Sequence, residues 1–128
     1  MKPSILLAGE DIAALAAVTT VIDPRSVSTH LVATPRALRD LASASLPRIH
    51  VVVLALDGSE NIAEMRTILD THPGSRFVFL TPEYPPAPAV ARVCAQHGAV
   101  LFPCEEEPIV VGATIVAMLA SHHAEAAP

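Results

Sequence analysis

The sequence predicts an α/β protein in which a parallel five-stranded sheet has helices on both faces. Short β-rich runs and helical stretches alternate five times along the chain, an order typical of repeated strand–helix units. The third run, 50–56, has no polar residue after His50, as expected of a central strand buried on both sides. With 128 residues, 52% of them apolar, the chain is long enough for one domain with its own core.

Five segments predict the strands. Each is a short run rich in Val, Ile, Leu or Phe that is bounded by polar residues, Gly or Pro. The segments are residues 4–8, 28–33, 50–56, 76–80 and 99–102.

The helices are predicted from their starts and ends. Thr34 followed by Pro35 is typical of an N-cap and a first helical position. Residues 59–71 and 87–97 place apolar side chains at helical spacing, and Gly98 is suited to end the second of these helices.

The end of the chain predicts a last helix and then a tail. The acidic run 105–107 before Pro108 suits the positive end of a helix dipole. Residues 122–128 have no stable pattern, so we expect one domain over residues 1–121, followed by a flexible tail or the start of a linker.

Charge and apolar patterning argue against several classes of protein. A net charge of −5, with Lys2 and seven arginines as the cations, does not suit a nucleic-acid-binding module. The longest nearly unbroken apolar run, 109–120, has 12 residues, fewer than the roughly 20 that cross a bilayer. We expect a cytoplasmic protein, since no basic-then-apolar leader begins the chain, and we expect Cys94 and Cys104 to be reduced.

Polar side chains follow the predicted strands at their carboxyl ends, where parallel sheets place their chemistry. Glu10 and Asp11 follow the first strand, Asp57 the third and Thr81 the fourth. Carboxylates from two loops that converge with a hydroxyl would suit Mg²⁺, which prefers oxygen ligands. The alternative is structural: the acidic pair would favour a helix start, and Asp57 with Gly58 would make a turn.

The sequence lacks the residues that several other kinds of functional site require. A dinucleotide site needs G-x-G-x-x-G after the first strand, where only Gly9 is present, and there is no phosphate loop ending in Gly-Lys-Ser/Thr. Residues 8–12 offer neither the Ser/Thr of a flavodoxin-type phosphate loop nor a cysteine nucleophile. Cys94, His97 and Cys104 would form a zinc site without its fourth ligand, and the apolar helical face of Cys94 favours a buried thiol.

The first strand with its acidic pair, Thr81, and the Gly98-Ala99 step followed by Phe102 resemble the receiver domain of two-component response regulators. The resemblance covers residues 4–120 and implies a flavodoxin-like three-layer sandwich with strand order 2-1-3-4-5. It also implies five functional positions: two acids that hold Mg²⁺, a phospho-accepting Asp, a Ser or Thr, and a lysine that pairs with the phosphoryl group.

The chain departs from the receiver pattern at the acidic positions. Gly9 stands at the first acid position, which leaves Glu10 and Asp11. An ungapped comparison of the third strand places Ala55 at the phospho-acceptor position, whereas a shift of two residues places Asp57 there.

The lysine position departs as well. The residue seven positions after Gly98 is Glu105, and the single lysine, Lys2, precedes the first strand. A phosphoaspartate has roughly two negative charges. At an effective dielectric constant of about 20, a like-charge pair about 4 Å apart costs on the order of 4 kcal/mol. This substitution therefore argues against phosphorylation-driven switching.

The predicted last helix is apolar around almost its whole circumference. Only Gly112 and Thr114 interrupt the apolar residues from 109 to 120. An outer helix normally has one polar face, so this pattern predicts a second buried surface. The resemblance places a dimer surface on the fourth helix, the fifth strand and the fifth helix. The expected interface residues are Ile109, Val111, Ile115, Val116 and Leu119.

These features predict a non-enzymatic regulatory module that acts by protein contact and without phosphorylation. It would form a homodimer or dock to an output domain or partner protein, with no cofactor, nucleic acid or membrane. Thr81, Phe102 and Glu105 would be remnants of the phosphoryl and switch positions. The module resembles the atypical receivers that precede pilus-assembly and septum-site ATPases of the ParA/MinD type.

Two alternatives stay open. The first is a working receiver in which Asp57 accepts the phosphoryl group while Glu10 and Asp11, with Asp57, hold Mg²⁺. The second is a small flavodoxin-like ligand-binding domain, although no cofactor loop is present.

Overall fold

Strands and helices alternate in the computed structural model, which describes residues 2–44 and 48–126, with side chains as far as residue 121. The strands are β1 (Ser4–Gly9), β2 (Ser28–Ala33), β3 (Val51–Ala55), β4 (Arg76–Thr81) and β5 (Val100–Pro103). The helices are α1 (Ile12–Thr19), α2 (Ala37–Ala42), α3 (Ile62–Thr71), α4 (Pro88–His97) and α5 (Pro108–Ala126). The strands pair in parallel in the order β2-β1-β3-β4-β5, which confirms the predicted fold class and strand order. None of the helices in these ranges is long and apolar enough to span a membrane.

The sheet separates two apolar cores. On one side α1 and α5 cover the α1–α5 core, which includes Ile5, Leu7 and Ile115. On the other side α2, α3 and α4 cover a core that contains Phe79. Residues 51–54 of β3 are buried in the middle of the sheet, which explains why that strand is apolar at successive positions.

Three helices begin or end at residues suited to capping. Asp11 caps α1, because its Oδ1 accepts a hydrogen bond from the N–H of Ala14 at 3.0 Å. Asn61 caps α3 through the N–H of Glu64 at 2.8 Å. Gly98 ends α4 as predicted, at φ 68°, a left-handed conformation that glycine adopts without strain.

The predicted start of the second helix is wrong. α2 begins at Ala37, and its N-cap residue, Arg36, makes no capping bond with its side chain. Thr34 is instead buried, and its hydroxyl donates to the carboxylate of Asp40 while it accepts from the N–H of Arg36. The hydroxyl therefore ties the β2–α2 connection to the helix rather than capping it.

α5 presents one side to the core, although its sequence is apolar nearly all round. Val111, Ile115 and Leu119 are at most 6% exposed and lie in the α1–α5 core. They cannot contact a partner chain, so their assignment to an interface is wrong. Ile109 and Val116 are the two residues of that predicted set that are exposed.

The last helix also extends beyond the predicted end of the domain. α5 continues to Ala126, whereas the sequence analysis predicts a tail from residue 122. Residues 124–126 are Ala, Glu and Ala, which favour helix, so the helix has no local reason to end at residue 121. Residues 127–128 of the predicted tail lie outside the described residues.

Candidate functional site

Gly9 and Ala55 are neighbours at the carboxyl edge of the sheet. The paired register of β1 and β3 reaches Ala8 and Leu54, so Gly9 and Ala55 come next. A Cβ on Gly9 would lie 2.6 Å from the Cβ of Ala55, closer than side-chain carbons approach one another. Glycine and alanine, the two smallest residues, therefore already occupy the space at this part of the edge, and there is no room for an acidic side chain at position 9.

A pocket of about 200 Å³ opens beside this pair. Its lining combines carboxylates with apolar groups, and among the described residues no lysine or arginine contributes to it. An anion in this pocket would face acidic groups, and the guanidinium of Arg36, although it is near Asp57, does not line the pocket. The lining includes Glu10, Asp11, Ala55, Asp57, Leu80 and Cys104.

Asp57 lies two residues beyond β3, in a turn. Its Oδ1 accepts hydrogen bonds from the N–H of Ser59 at 2.8 Å and from the Ser59 hydroxyl at 2.5 Å. These bonds, led by the one from the hydroxyl, hold the pKa of Asp57 below its usual value. Gly58 adopts φ 94° in the same turn, a conformation that favours glycine. The predicted turn is confirmed, and Asp57 remains exposed beside the pocket.

Glu60 and Arg36 belong to this corner, and the sequence analysis missed both. The carboxylate of Glu60 accepts hydrogen bonds from the N–H of Asp57 at 2.9 Å and of Gly58 at 3.0 Å, while burial raises its pKa. Arg36 lies close enough to lower the pKa of Asp57 further. Glu60 follows Asp57 by three residues, and this short spacing is a local signal from which the contact of Glu60 with the turn can be predicted. Arg36 arrives from the β2–α2 connection, so no sequence motif indicates it.

Glu10 and Asp11 line the same pocket as Asp57. Asp11 uses one carboxylate oxygen to cap α1, as the structural alternative predicts, and Glu10 is exposed. Over the described ranges, no three His, Cys, Asp or Glu side chains are grouped so that they could hold a metal ion. Binding of Mg²⁺ by Glu10, Asp11 and Asp57 stays a prediction.

Thr81 faces away from this pocket. Leu80 pairs with Ala55 and shares its side of the sheet, so the next residue, Thr81, points to the α3–α4 side. Its hydroxyl donates to the carbonyl oxygen of Glu83 at 3.2 Å and accepts from the N–H of Glu83 at 3.3 Å. The predicted convergence of the Thr81 hydroxyl with the strand-end carboxylates is therefore not formed.

The turn after β5 adds Cys104 and Glu105 to the acidic edge. The N–H of Cys104 donates to the carbonyl oxygen of Thr81 at 2.9 Å, and the Cys104 side chain lines the pocket. Burial raises the pKa of the Cys104 thiol, and nearby carboxylates, led by Glu105, raise it further. The residue at the receiver lysine position thus adds negative charge where a cation is expected.

Phe102, Cys94 and His97 have structural contacts. Phe102 is half-buried against the α1–α5 core. Cys94 is 2% exposed and burial raises its pKa to about 11, which confirms the predicted buried thiol. His97 lies 3.0 Å from the carbonyl oxygen of Val93 and 2.9 Å from the carboxylate of Asp70, so its two ring nitrogens are both engaged away from the cysteines.

Lys2 lies at the opposite edge of the sheet. It precedes β1, and its Nζ is 3.5 Å from the carbonyl oxygen of Pro24. Gly9, at the other end of β1, is seven residues away, or about 23 Å along an extended strand. That distance is several times the length of a lysine side chain, so Lys2 cannot pair with a group in the pocket.

Structural comparison identifies this architecture, whereas sequence comparison does not. No protein-family model and no curated protein sequence matches the chain. The BeF₃-activated receiver domain of DrrB, a response regulator of Thermotoga maritima, superposes with a TM-score of 0.69 at 20% identity, over 94% of this chain and 99% of that one. A CheY-like receiver domain protein from Methanospirillum hungatei gives 0.73 at 13% identity, over 98% and 99%. The chain has the receiver-domain fold.

A further structure with the receiver fold is the signal receiver domain of an HD domain-containing protein from Pseudomonas fluorescens. It superposes with a TM-score of 0.70 at 18% identity, over 97% of this chain and 99% of that domain. The longer DrrB chain is covered over 54% of its length. The receiver fold therefore accounts for nearly the whole of this chain and for only part of a complete regulator such as DrrB.

Proposed function

We propose that this chain is a phosphorylation-independent receiver-like module that regulates by protein contact. The observation that supports the proposal is the contact between Gly9 and Ala55 at the carboxyl edge. The receiver resemblance assigns a magnesium-binding acid to position 9 and, in the ungapped comparison, the phospho-acceptor to position 55. In that comparison these residues are glycine and alanine, so two of the groups that phosphoryl transfer needs are missing.

Charge at the same edge supports the proposal. Glu105 takes the lysine position, and Lys2 lies at the far end of β1. Repulsion between a phosphoryl group and a carboxylate about 4 Å away is on the order of 4 kcal/mol at an effective dielectric constant of about 20. The start of α5 offsets about 1 kcal/mol of this through its dipole. We therefore expect no stable phosphorylation of the chain.

The partner would be a second copy, an output domain or another protein. The longer DrrB chain gives one precedent, since about half of that regulator lies outside the match to this chain. The resemblance places dimerisation on α4, β5 and α5, and α5 exposes Ile109 and Val116. An ATPase of the ParA/MinD type, in pilus assembly or septum-site placement, is one output with which such a module would act.

A working phospho-acceptor is the second candidate function, and one observation favours it. Asp57 is exposed, its pKa is held low, and it lines one pocket with Glu10 and Asp11. A magnesium-dependent phosphoryl transfer needs an ionised, accessible carboxylate with further oxygen ligands close to it, and Glu10 and Asp11 would have to move closer to Asp57 to supply them.

Intact-mass measurement after incubation with acetyl phosphate and Mg²⁺ separates the two functions. We expect the mass to stay unchanged, since the ungapped comparison places Ala55 at the acceptor position and Glu105 at the lysine position. Asp57→Asn is the informative variant, and Asp23→Asn, which removes an exposed carboxylate at the amino edge, is its matched control. One added phosphoryl group that is lost in Asp57→Asn and kept in Asp23→Asn would establish Asp57 as the acceptor and refute the proposal.

A further inference from the structure

β2 lies at one end of the sheet, so one side of its backbone has no neighbouring strand. In a parallel pair, the N–H and C=O groups of successive residues point alternately to the two sides of a strand. The N–H of Ser28, the first residue of β2, donates to the carbonyl oxygen of Pro3 at 2.9 Å, so the even-numbered residues face β1. We name the odd-numbered backbone groups, which point away from the sheet, the β2 edge: the N–H and C=O of Thr29, Leu31 and Ala33.

The backbone groups of the β2 edge make no hydrogen bond to any residue in the described ranges 2–44 and 48–126. Such groups on an edge strand bind either water or the backbone of an added strand. The five residues from Thr29 to Ala33 are all exposed, so nothing in those ranges covers them. The β2 edge is therefore accessible to another strand.

β2 lacks the features that usually protect an edge strand, which are charged side chains, proline or a bulge. Residues 26–35 contain no Asp, Glu, Lys or Arg, and Pro35 lies beyond the end of the strand. All residues of β2 pair with β1 in one uninterrupted register, which leaves no bulge. The opposite edge differs, because β5 has four residues, ends at Pro103 and is half-buried throughout.

Exposed apolar side chains border the β2 edge on both faces of the sheet. Leu31 pairs with Leu7 and so points to the side of the α1–α5 core. Val32 pairs with Ala8 and points to the side of α2, α3 and α4. The two side chains are 43% and 39% exposed. A strand added at this edge would remove both from water, so pairing would bury apolar surface as well as form hydrogen bonds.

A second copy of β2 fits this edge in one antiparallel register. In antiparallel pairs, opposite residues exchange two hydrogen bonds where their N–H and C=O groups face each other. With Leu31 opposite Leu31 of the other copy, Thr29 lies opposite Ala33, and every opposite pair is of this kind. The six resulting hydrogen bonds use all the groups of the β2 edge in both copies. A shift along the strand would leave some of these groups unpaired.

Charge does not oppose this register. Residues 26–35 bring no carboxylate, lysine or arginine into the strand pair. Asp23 and Arg25 precede β2, and Arg36 and Asp40 follow it, all of them exposed. One acid and one cation thus flank each end of the strand in sequence. Antiparallel copies can therefore meet here without the repulsion that a net charge of −5 causes elsewhere on the chain.

We propose that a second copy of this chain binds antiparallel along the β2 edge, so that the two five-stranded sheets become one continuous sheet. The inference rests on the contact function proposed above and names its surface and partner. The six residues of β2 span about 20 Å and a sheet is about 10 Å thick, a contact of about 200 Å². A standard interface buries about 800 Å² on each partner, so we expect a weak, concentration-dependent dimer.

Sedimentation equilibrium of the full chain, up to about 1 mM, tests the edge. Leu31→Pro removes an N–H of the β2 edge and none that pairs with β1, and edge strands accept proline at such positions. Leu31→Val keeps that N–H and is the matched control. We expect the wild-type chain to dimerise, Leu31→Pro to weaken association at least about tenfold, and Leu31→Val to change it less than about threefold. Circular dichroism and urea unfolding show whether each variant is folded.

Paired charges test the register, and they also test the proposal if Leu31→Pro does not fold. A first variant, Thr29→Lys with Ala33→Glu, places opposite charges face to face between the copies. A second, Thr29→Lys with Ala33→Lys, places like charges there, although it makes the chain less acidic overall. We expect the first variant to associate at least about fivefold more tightly than the second, since charges directly opposite across a strand pair interact.

Three results would overturn the proposal. One is a wild-type chain that stays monomeric up to about 1 mM. Another is a folded Leu31→Pro chain that dimerises as tightly as the wild type, which would locate the contact on a helical face. The third is a second charge variant that associates at least as tightly as the first, which would refute the antiparallel register. None of these depends on the phosphorylation test, because a mass adduct forms or fails to form whatever the oligomeric state.

Discussion

Gly9 is confined from two directions. A Cβ at this position would meet Ala55 on β3 at 2.6 Å and the Cδ1 of Leu15 on α1 at 3.3 Å. Neither neighbour yields easily, since one is on the central strand and the other is fully buried. A substitution that restores an acid at position 9 would therefore have to displace the strand or the helix. The packing at this edge therefore excludes an acidic side chain at position 9, where the receiver resemblance places the first acid.

We expect Gly9→Ala to lower the free energy of unfolding by about 1–3 kcal/mol, the usual cost of overpacking a close contact. Urea denaturation followed by circular dichroism measures the change. Gly74→Ala is the matched control, because a Cβ on Gly74 meets nothing within 4 Å. Equal stability of Gly9→Ala and Gly74→Ala would contradict the packing that we describe at the carboxyl edge.

His97 joins α4 to α3 through both of its ring nitrogens. Nδ1 lies 3.0 Å from the carbonyl oxygen of Val93, and Nε2 lies 2.9 Å from the carboxylate of Asp70. Both partners are acceptors, so both nitrogens donate in the protonated imidazolium. The bond to Val93 and then the bond to Asp70 raise the pKa of His97 above its usual value of 6.5.

The stabilisation from His97 should be present in acid and lost in alkali. A pKa that is raised by folding stabilises the folded state below the unfolded pKa of about 6.5, and the effect disappears as pH rises through the folded pKa. Since the Asp70 side chain is 70% exposed, we expect at most about 1 kcal/mol. Urea unfolding of wild type and Asp70→Asn near pH 5.5 and pH 9 measures the difference, which should shrink at the higher pH. A difference that grows with pH would rule out the protonated contact.

Among the secondary-structure elements, the seam between α1 and α5 depends on Gly112. Glycine in the middle of a helix costs about 1 kcal/mol relative to alanine, so its presence there needs a reason. The reason is Val21, which occupies the space that a methyl group would take. The glycine thus allows the α1–β2 connection to lie directly against α5.

We expect Gly112→Ala to destabilise the protein in the wild-type background and to destabilise it less in the background of Val21→Ala. In the second background the new methyl group still meets the Cβ of residue 21 at 3.3 Å, but the closer contact with the valine methyl is gone, and the helical preference for alanine, up to about 1 kcal/mol, offsets part of the remaining cost. A double-mutant cycle from urea unfolding gives the coupling energy between the two positions. Strictly additive effects would show that Val21 and Gly112 do not share this space.

Elements that local rules govern could be predicted, and elements that distant contacts govern could not. The buried β3 and the end of α4 at Gly98 follow from hydrophobic pattern and from glycine conformation. The start of α2 does not, because Thr34 bonds to Asp40 within the folded connection. The pattern of α5 indicates an apolar helix but not which side the sheet covers, which is why the predicted interface wrongly includes the buried Val111.

At the scale of the whole molecule, the strand order can be predicted from the sequence more readily than the arrangement of side chains at the candidate site. Five alternating units restrict the topology enough that the predicted sheet is confirmed. The carboxyl edge is harder, since a one-residue step along a strand reverses the direction of a side chain. Thr81 follows the paired Leu80 and so leaves the pocket, and Cys104 enters it from a turn. The spacing of residues along the chain does not show which of these side chains enters the pocket.

Charges of opposite sign at the two edges of the sheet give the molecule an electric dipole moment along its strands. Its negative pole contains Glu10, Asp11 and residues 105–107. Its positive pole contains Lys2 and Arg25, whose charges exceed that of the Asp23 carboxylate at the same edge. The peptide dipoles of α1 and α5 point the other way, but each helix end contributes only about half a unit charge. A charged partner would be turned by this dipole moment while it still diffuses toward the chain. Salt would therefore slow the encounter more than it shortens the lifetime of a complex held by uncharged side chains.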